Sequence, residues 1–285
     1  MKLKSTIKRL YSQTKVWLDN DTIFAIWYKS KTSRNNWGDV LNPVLIREIS
    51  GKKPVLVKEY PRNIRNKPVY SVIGSILGGD YLANYGKNRL VVWGTGFISK
   101  RSRLKTVPRE ICAVRGPLTR EILEKQGYHC PEVYGDPALL YPRFYKGEKL
   151  AKKYKLGIIP HYVDKKSIPN SFKDDPDVLL IDIQGPINRV VDQINSCRMI
   201  ASSSLHGIIA SDAYGVPSSW IKFTDKIVGG DFKYYDYFYS VGRTEEQSID
   251  ITPETTADDL LDNHHHYKLD FKSQELWDAC PFRPD

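Results

Sequence analysis

MIASSSLHGIIASDAYGVP, Met199–Pro217, reads as an apolar strand that hands over to a helix at Ser202, Ser203 and Ser204. The helix carries His206 and Gly207 in its first turn, and Gly215 and Pro217 close it. Serines at such a junction offer caps to the orphan backbone N–H groups of the helix. Any N–H they leave unpaired, helped by the positive end of the helix dipole, favours an anion. A histidine placed there is near its natural switching pH and close to whatever anion binds. A capped, partly buried histidine without chemistry fits the same pattern, so both readings stand at this point.

Working outward, Leu156–Ile159 and Val178–Asp182 are short apolar strands, and Ile187–Ser196 is a helix leading into the central unit. Ser218–Ile221 is a further strand, followed by the Gly- and Tyr-rich stretch IVGGDFKYYDYFYSVG. The first half has the same alternation. Its strands are Thr22–Tyr28, Pro68–Ile73, Leu90–Trp93 and Ile111–Val114, with helices from about Val40 to Ile49 and over Leu118–Gln126. Strands alternating with helices predict an α/β fold with parallel sheets. A chain of 285 residues suits two domains of about 140 residues each. The charged stretch after Leu140 places their boundary near Gly147, giving 1–147 and 148–285.

In open α/β sheets ligands gather at the carboxyl ends of the strands, which selects the residues to watch. His161 and His206 stand at such ends in the second half. In the first half they are Gly74-Ser75, Gly94-Thr95-Gly96 and Arg115, the last between a strand and a helix opened by Pro117. Asn36 and Asp39 sit where a polar loop meets a helix, and Asp39 reads equally as its N-cap or as a substrate contact. Asp136, before Pro137, reads as a turn residue. Gly94-x-Gly96 lacks a third glycine, so it carries no dinucleotide reading.

Composition narrows the partners. Lys and Arg number 43 against 33 Asp and Glu, a net charge of +10, which suits anionic ligands. The basic residues are dispersed apart from Lys2–Lys15 and Lys100–Arg109, favouring small anions and a membrane surface over nucleic acid. Leu3, Ile7, Leu10 and Trp17 give the basic start one apolar face that can lie on a membrane; packing on its own domain explains it equally. No apolar run reaches the roughly 18 residues of a membrane helix, and the start lacks a signal-peptide core, so the expected location is cytoplasmic. Cys112, Cys130, Cys197 and Cys280 show no zinc spacing, and three adjacent histidines, His264–His266, cannot share one helix face. No metal is expected.

Seven short pieces resemble the polysaccharide pyruvyl transferase family. They are NWGDVLNPVLI (Asn36–Ile46), GSIL (Gly74–Leu77), WGTGF (Trp93–Phe97), AVRGPLT (Ala113–Thr119), YGDPALL (Tyr134–Leu140), IPHYVD (Ile159–Asp164) and SSSLHGIIASDAYGVP (Ser202–Pro217). They run in the family's order over most of the chain. The resemblance implies two Rossmann-like domains in a glycosyltransferase-B-like arrangement. It also implies transfer of the enolpyruvyl group of phosphoenolpyruvate to two hydroxyls of a sugar, giving a cyclic pyruvate ketal and phosphate.

The family's donor-binding arginine matches Arg115 and its catalytic histidine matches His206. Many members have arginine two residues before that histidine, where this chain has Ser204. The expected donor site is therefore Arg115, Ser203, Ser204, His206, Gly207 and His161, with Arg115 and His206 catalytic. The expected acceptor site is Asn36, Asp39, Gly74, Ser75, Gly94 and Thr95. The acceptor implied is a sugar of a capsular or exopolysaccharide repeat, free or lipid-linked, reached at the inner membrane face without a cofactor. Two rivals stay open. One is a glycosyltransferase using a nucleotide sugar, and the other a non-catalytic carbohydrate- or nucleic-acid-binding protein using Tyr234–Tyr239 as a stacking platform.

Overall fold

The computed structural model describes residues 21–29, 36–59, 67–85, 87–148 and 151–284. The basic start, with Leu3, Ile7, Leu10 and Trp17, lies outside the described residues.

The first half runs β1 (Thr22–Ile26), α1 (Trp37–Ser50), β2 (Lys53–Leu56), β3 (Val69–Ser71), α2 (Asp80–Tyr85), β4 (Leu90–Trp93), β5 (Glu110–Ala113) and α3 (Pro117–Lys125). A 3₁₀ helix, Pro137–Arg143, leads to the second half. There follow β6 (Tyr154–Ile159), α4 (Asn170–Lys173), β7 (Val178–Leu180), α5 (Ile187–Asn195), β8 (Cys197–Ser202) and α6 (Leu205–Ala213). The chain then makes β9 (Ser218–Lys222), α7 (Phe232–Ser240), β10 (Ile249–Asp250), α8 (Ala257–Asp262) and α9 (Ser273–Asp278).

The strands form two five-stranded sheets in the orders β2-β1-β3-β4-β5 and β10-β9-β8-β6-β7. Every strand pairing is parallel. The fold is α/β with two Rossmann-like parallel sheets, as the alternation predicts. Strands β1 and β4 are buried at every residue, and β8 at all but Arg198. Such continuous apolar runs are what a parallel sheet covered on both faces requires. One apolar cluster joins the halves: Ile23 and Ala25 of the first sheet and Ile159 and Ile200 of the second meet through Leu41, Leu45, Leu140 and Ile208. Helix α9 returns to the first sheet, where the Trp93 indole donates to the Leu276 carbonyl at 2.9 Å.

Three local expectations need correction. Helix α1 begins at Trp37, not Val40, and its N-cap is Asn36 rather than Asp39. The Asn36 side-chain oxygen accepts the Asp39 N–H at 3.0 Å, which puts Asp39 at the third helical position with its carboxylate in the first turn. Ser204 occupies the N-cap of α6, yet its side chain makes no capping bond. The Ser202 hydroxyl receives the Ser204 N–H instead, at 3.0 Å. Last, the Tyr-rich stretch is helix α7. Its Tyr234 stacks on Trp220 with ring centroids 4.5 Å apart, and its Tyr237 hydroxyl donates to Asp212 at 2.7 Å. These two rings pack inside and present no platform.

Candidate active site

A cavity of about 270 Å³ opens where the carboxyl ends of strands from both sheets meet. The first half supplies Asn36, Asp39, Gly74 and Ser75 to its wall, and the second supplies His161, Ser204, His206 and Lys233. Seven of these eight are residues the sequence singles out; Lys233 is not.

His206 is placed by two opposed constraints. Helix α6 aims it from the end of β8, and Gly38 of α1 receives it. A Cβ on Gly38 would fall 2.3 Å from the His206 Nε2, so only glycine lets the imidazole lie there. Behind it, Gly207 is pressed on Ser202, where a Cβ would meet the hydroxyl at 2.3 Å. The ring is half-buried. Burial first, and then the charges of Lys233, Arg115 and His161, lower its pKa from 6.5 to about 3. At neutral pH His206 is therefore a neutral imidazole. His161 is pushed the same way, to about 4, by burial and Lys233, with Asp164 opposing.

Asp39 is 7% exposed, and burial raises its carboxyl to about 7 against the pull of the Asn36 backbone. The cavity thus holds a neutral imidazole and a carboxyl that titrates near neutrality. Groups whose environments displace their pKa values in this manner are the usual raw material of acid–base pairs.

Lys233, on α7, is 8% exposed; burial and then Arg115 lower its pKa to about 8. Its Nζ reaches the Val228 carbonyl at 3.3 Å, and among the described residues no carboxylate pairs with it. A buried cation in that condition favours an anionic ligand. The N–H groups of Leu205 and His206, in the first turn of α6, have no intrahelical acceptor and add to the same field.

Arg115 lies outside the cavity wall. It is fully buried, with Nε donating to Asp236 at 2.9 Å and a second nitrogen to the Phe97 carbonyl at 2.6 Å. Its remaining nitrogen donates to Ser75, which does line the cavity. Gly96 makes room for it, since a Cβ there would sit 2.6 Å from the guanidinium carbon. Asp236 also takes the Thr119 N–H and hydroxyl, at 2.8 and 2.7 Å, so the pair ties α7 to α3.

Gly94, Thr95, Ser203 and Gly207 support the wall from behind. Thr95 donates to the Gly74 carbonyl at 2.7 Å, and Gly94, at φ 83°, passes so close to Pro137 that a Cβ would lie 2.2 Å away. The Ser203 hydroxyl accepts the His161 N–H and donates to the buried Asp164, both at 2.8 Å. Asp136 caps the 3₁₀ helix through Ala138, and burial raises its carboxyl to about 7. Among the described residues, no group of three His, Cys, Asp or Glu side chains converges as a metal site. No described helix is long and apolar enough to cross a membrane.

The chain is 33% identical over 219 residues to an uncharacterized protein of Acanthamoeba polyphaga mimivirus, covering 74% of this chain and 73% of that one. It is 27% identical over 215 residues to the succinoglycan biosynthesis protein ExoV of Rhizobium meliloti, spanning 65% of that protein's length. A functionally uncharacterized Klebsiella pneumoniae protein of known structure aligns over 88% of this chain and 98% of its own, at 13% identity and a TM-score of 0.47. The family model for polysaccharide pyruvyl transferases matches residues 36–222. That span opens on the asparagine that caps α1 and takes in Gly38, Asp39, His161 and His206. The chain belongs to the polysaccharide pyruvyl transferase family.

Proposed function

We propose that the cavity transfers the enolpyruvyl group of phosphoenolpyruvate to two hydroxyls of one sugar, leaving a cyclic pyruvate ketal and phosphate. The observation that carries this reading is the company His206 keeps: the buried Asp39 and the buried Lys233 line the same small cavity. Phosphoenolpyruvate brings a phosphate and a carboxylate. Lys233 and the N–H groups of Leu205 and His206 hold the phosphate, in place of the arginine that Ser204 removes. Arg115 acts from beneath, holding Ser75 and adding positive potential.

The steps then balance. A sugar hydroxyl passes its proton to His206 as its oxygen bonds to C2, while Asp39 gives a proton to C3 and the methylene becomes a methyl. The C2–O bond to phosphate breaks with its electrons, and the proton on His206 leaves with the phosphate. The second hydroxyl bonds to C2 and returns its proton to Asp39, closing the ketal. The bound anion offsets the cations around His206 and raises its pKa, so the imidazole becomes a better base once the donor is in place. Acid–base assistance of this kind contributes about 10²–10⁴-fold. The reaction needs no further cofactor.

The two sheets sharing one cavity support a glycosyltransferase-B-like arrangement, with the first half on the acceptor side and the second on the donor side. The acceptor is a sugar of a polysaccharide or lipid-linked oligosaccharide, met by a cytoplasmic protein at the inner membrane face; the net charge of +10 supports that location. Thermal unfolding tests the donor: phosphoenolpyruvate raises the transition temperature and UDP or GDP does not. Protection by a nucleotide alone transfers the site to nucleotide-sugar chemistry.

A further inference from the structure

The mouth of the cavity carries an aromatic rim that no step above uses. Tyr28, just past β1, is 52% exposed, and Tyr162, just past β6, is 42% exposed; both line the cavity. They come from the ends of strands in different sheets and face the same cavity. The Tyr162 ring is braced: its centroid lies 4.2 Å from that of His161, with 34° between the planes. Val163 and Val228 continue the rim. Scattered exposed apolar side chains are normal on any protein. Here four of the seven large ones among the described residues gather at one opening.

The cavity's size gives the rim a purpose. At about 270 Å³ it falls just below the roughly 300–1,000 Å³ usual for small-molecule sites. On the reading above, the donor and one sugar ring occupy the cavity, and a neighbouring ring lies over its mouth. Tyrosine suits that position, because its face covers the C–H side of a pyranose while its hydroxyl stays wet and bonds to the sugar. Asn36 and Asp39, just inside, offer oxygen acceptors to the ring that enters.

We propose that Tyr28 and Tyr162 form a saccharide platform that holds the sugar next to the one being modified. The protein therefore takes an acceptor of two or more linked sugars in preference to a monosaccharide. This proposal rests on the reading of the cavity as a pyruvyl transferase site.

Calorimetric titration without phosphoenolpyruvate tests it. The probes are methyl glycosides of galactose, mannose and N-acetylglucosamine, each paired with a β-linked disaccharide of the same terminal sugar. In the wild type at least one disaccharide binds about tenfold more tightly than its methyl glycoside, the size expected of one aromatic contact. Tyr162→Ala and Tyr28→Ala each abolish that preference, Tyr162→Phe keeps it, and the Kd of phosphoenolpyruvate is unchanged in all three. Equal affinity within every pair, absence of binding, or a preference that survives both alanine variants overturns the platform. A disaccharide preference in a protein that fails to bind phosphoenolpyruvate upholds the platform and removes the donor assignment instead.

Discussion

Gly38 and His206 touch across the two halves of the chain, so closely that a Cβ on the glycine would sit 2.3 Å from Nε2 and 2.4 Å from Cδ2. The Gly of NWGD is thus the socket for the His of SSSLHG. Gly38 has no positive φ, and alanine is favoured over glycine in a helix by about 1 kcal/mol, so its backbone accepts the change. Gly38→Ala is expected to cut kcat about 10²-fold by displacing the imidazole, while the transition temperature changes little. Phosphate release and thermal unfolding on the same sample check it; unchanged turnover contradicts the socket.

Arg115 and Asp236 form a fully buried pair. Removing one partner of such a pair strands a charge and typically costs about 3–5 kcal/mol. Asp236→Ala and Arg115→Ala should each lose about that much stability in urea titrations. The double variant Arg115→Met/Asp236→Leu should recover a large part of it. Single variants as stable as the wild type would remove the pair from the joint between α3 and α7.

Lys233 gives anion binding a pH limit. Its pKa is lowered to about 8 by burial and Arg115, so the ammonium is lost as pH rises through 8. The Kd of phosphoenolpyruvate is expected to rise above pH 8, approaching about tenfold per unit. Lys233→Arg, which keeps its charge, should shift that limit well upward, and Lys233→Met should bind weakly at every pH. A wild-type Kd that stays flat to pH 10 contradicts the assignment.

Asp39 sets a second limit through the chemistry. Its raised carboxyl loses its proton as pH climbs past about 7. As the proposed acid, it should make kcat/KM fall from there, because that ratio reports the free enzyme. His206, lowered to about 3, adds no inflection near 6.5. Asp39→Asn should lose about 10²–10⁴-fold in rate together with the inflection near 7. An inflection that persists in this variant assigns it to another group.

The sheets were readable because their strands are short apolar runs punctuated by glycine and proline. Leu90–Trp93 comes out with the boundaries expected, and the ends of β8 and α5 shift by one or two residues. The cavity lining was readable where it lies at strand ends, as with Ser75, His161, Ser204 and His206, or where a polar loop meets a helix, as with Asn36 and Asp39. Lys233 was missed because its meaning depends on burial against an arginine distant in sequence, and no local spacing encodes that. Its one local signal was a lysine just after Gly229-Gly230 inside an aromatic run. The sequence left Asp39 open between cap and substrate contact, because Asn36, three residues earlier, is an equally good cap; only the hydrogen bond decides which of the two caps the helix. The roles of Gly38 and Gly96 were hidden for the same reason as Lys233: each makes room for a side chain from a distant segment.

The most direct measurement of the central claim is phosphate release from phosphoenolpyruvate in the presence of galactose-, mannose- and glucosamine-type acceptors. It is made with the wild type and His206→Ala, and the products are weighed by mass spectrometry. The account predicts release that depends on the acceptor, a saccharide heavier by one pyruvate ketal, and collapse of both in the variant. Equal release in the two proteins would take His206 out of the mechanism. No release with any acceptor, together with no binding of phosphoenolpyruvate, would contradict the pyruvyl transfer assignment itself.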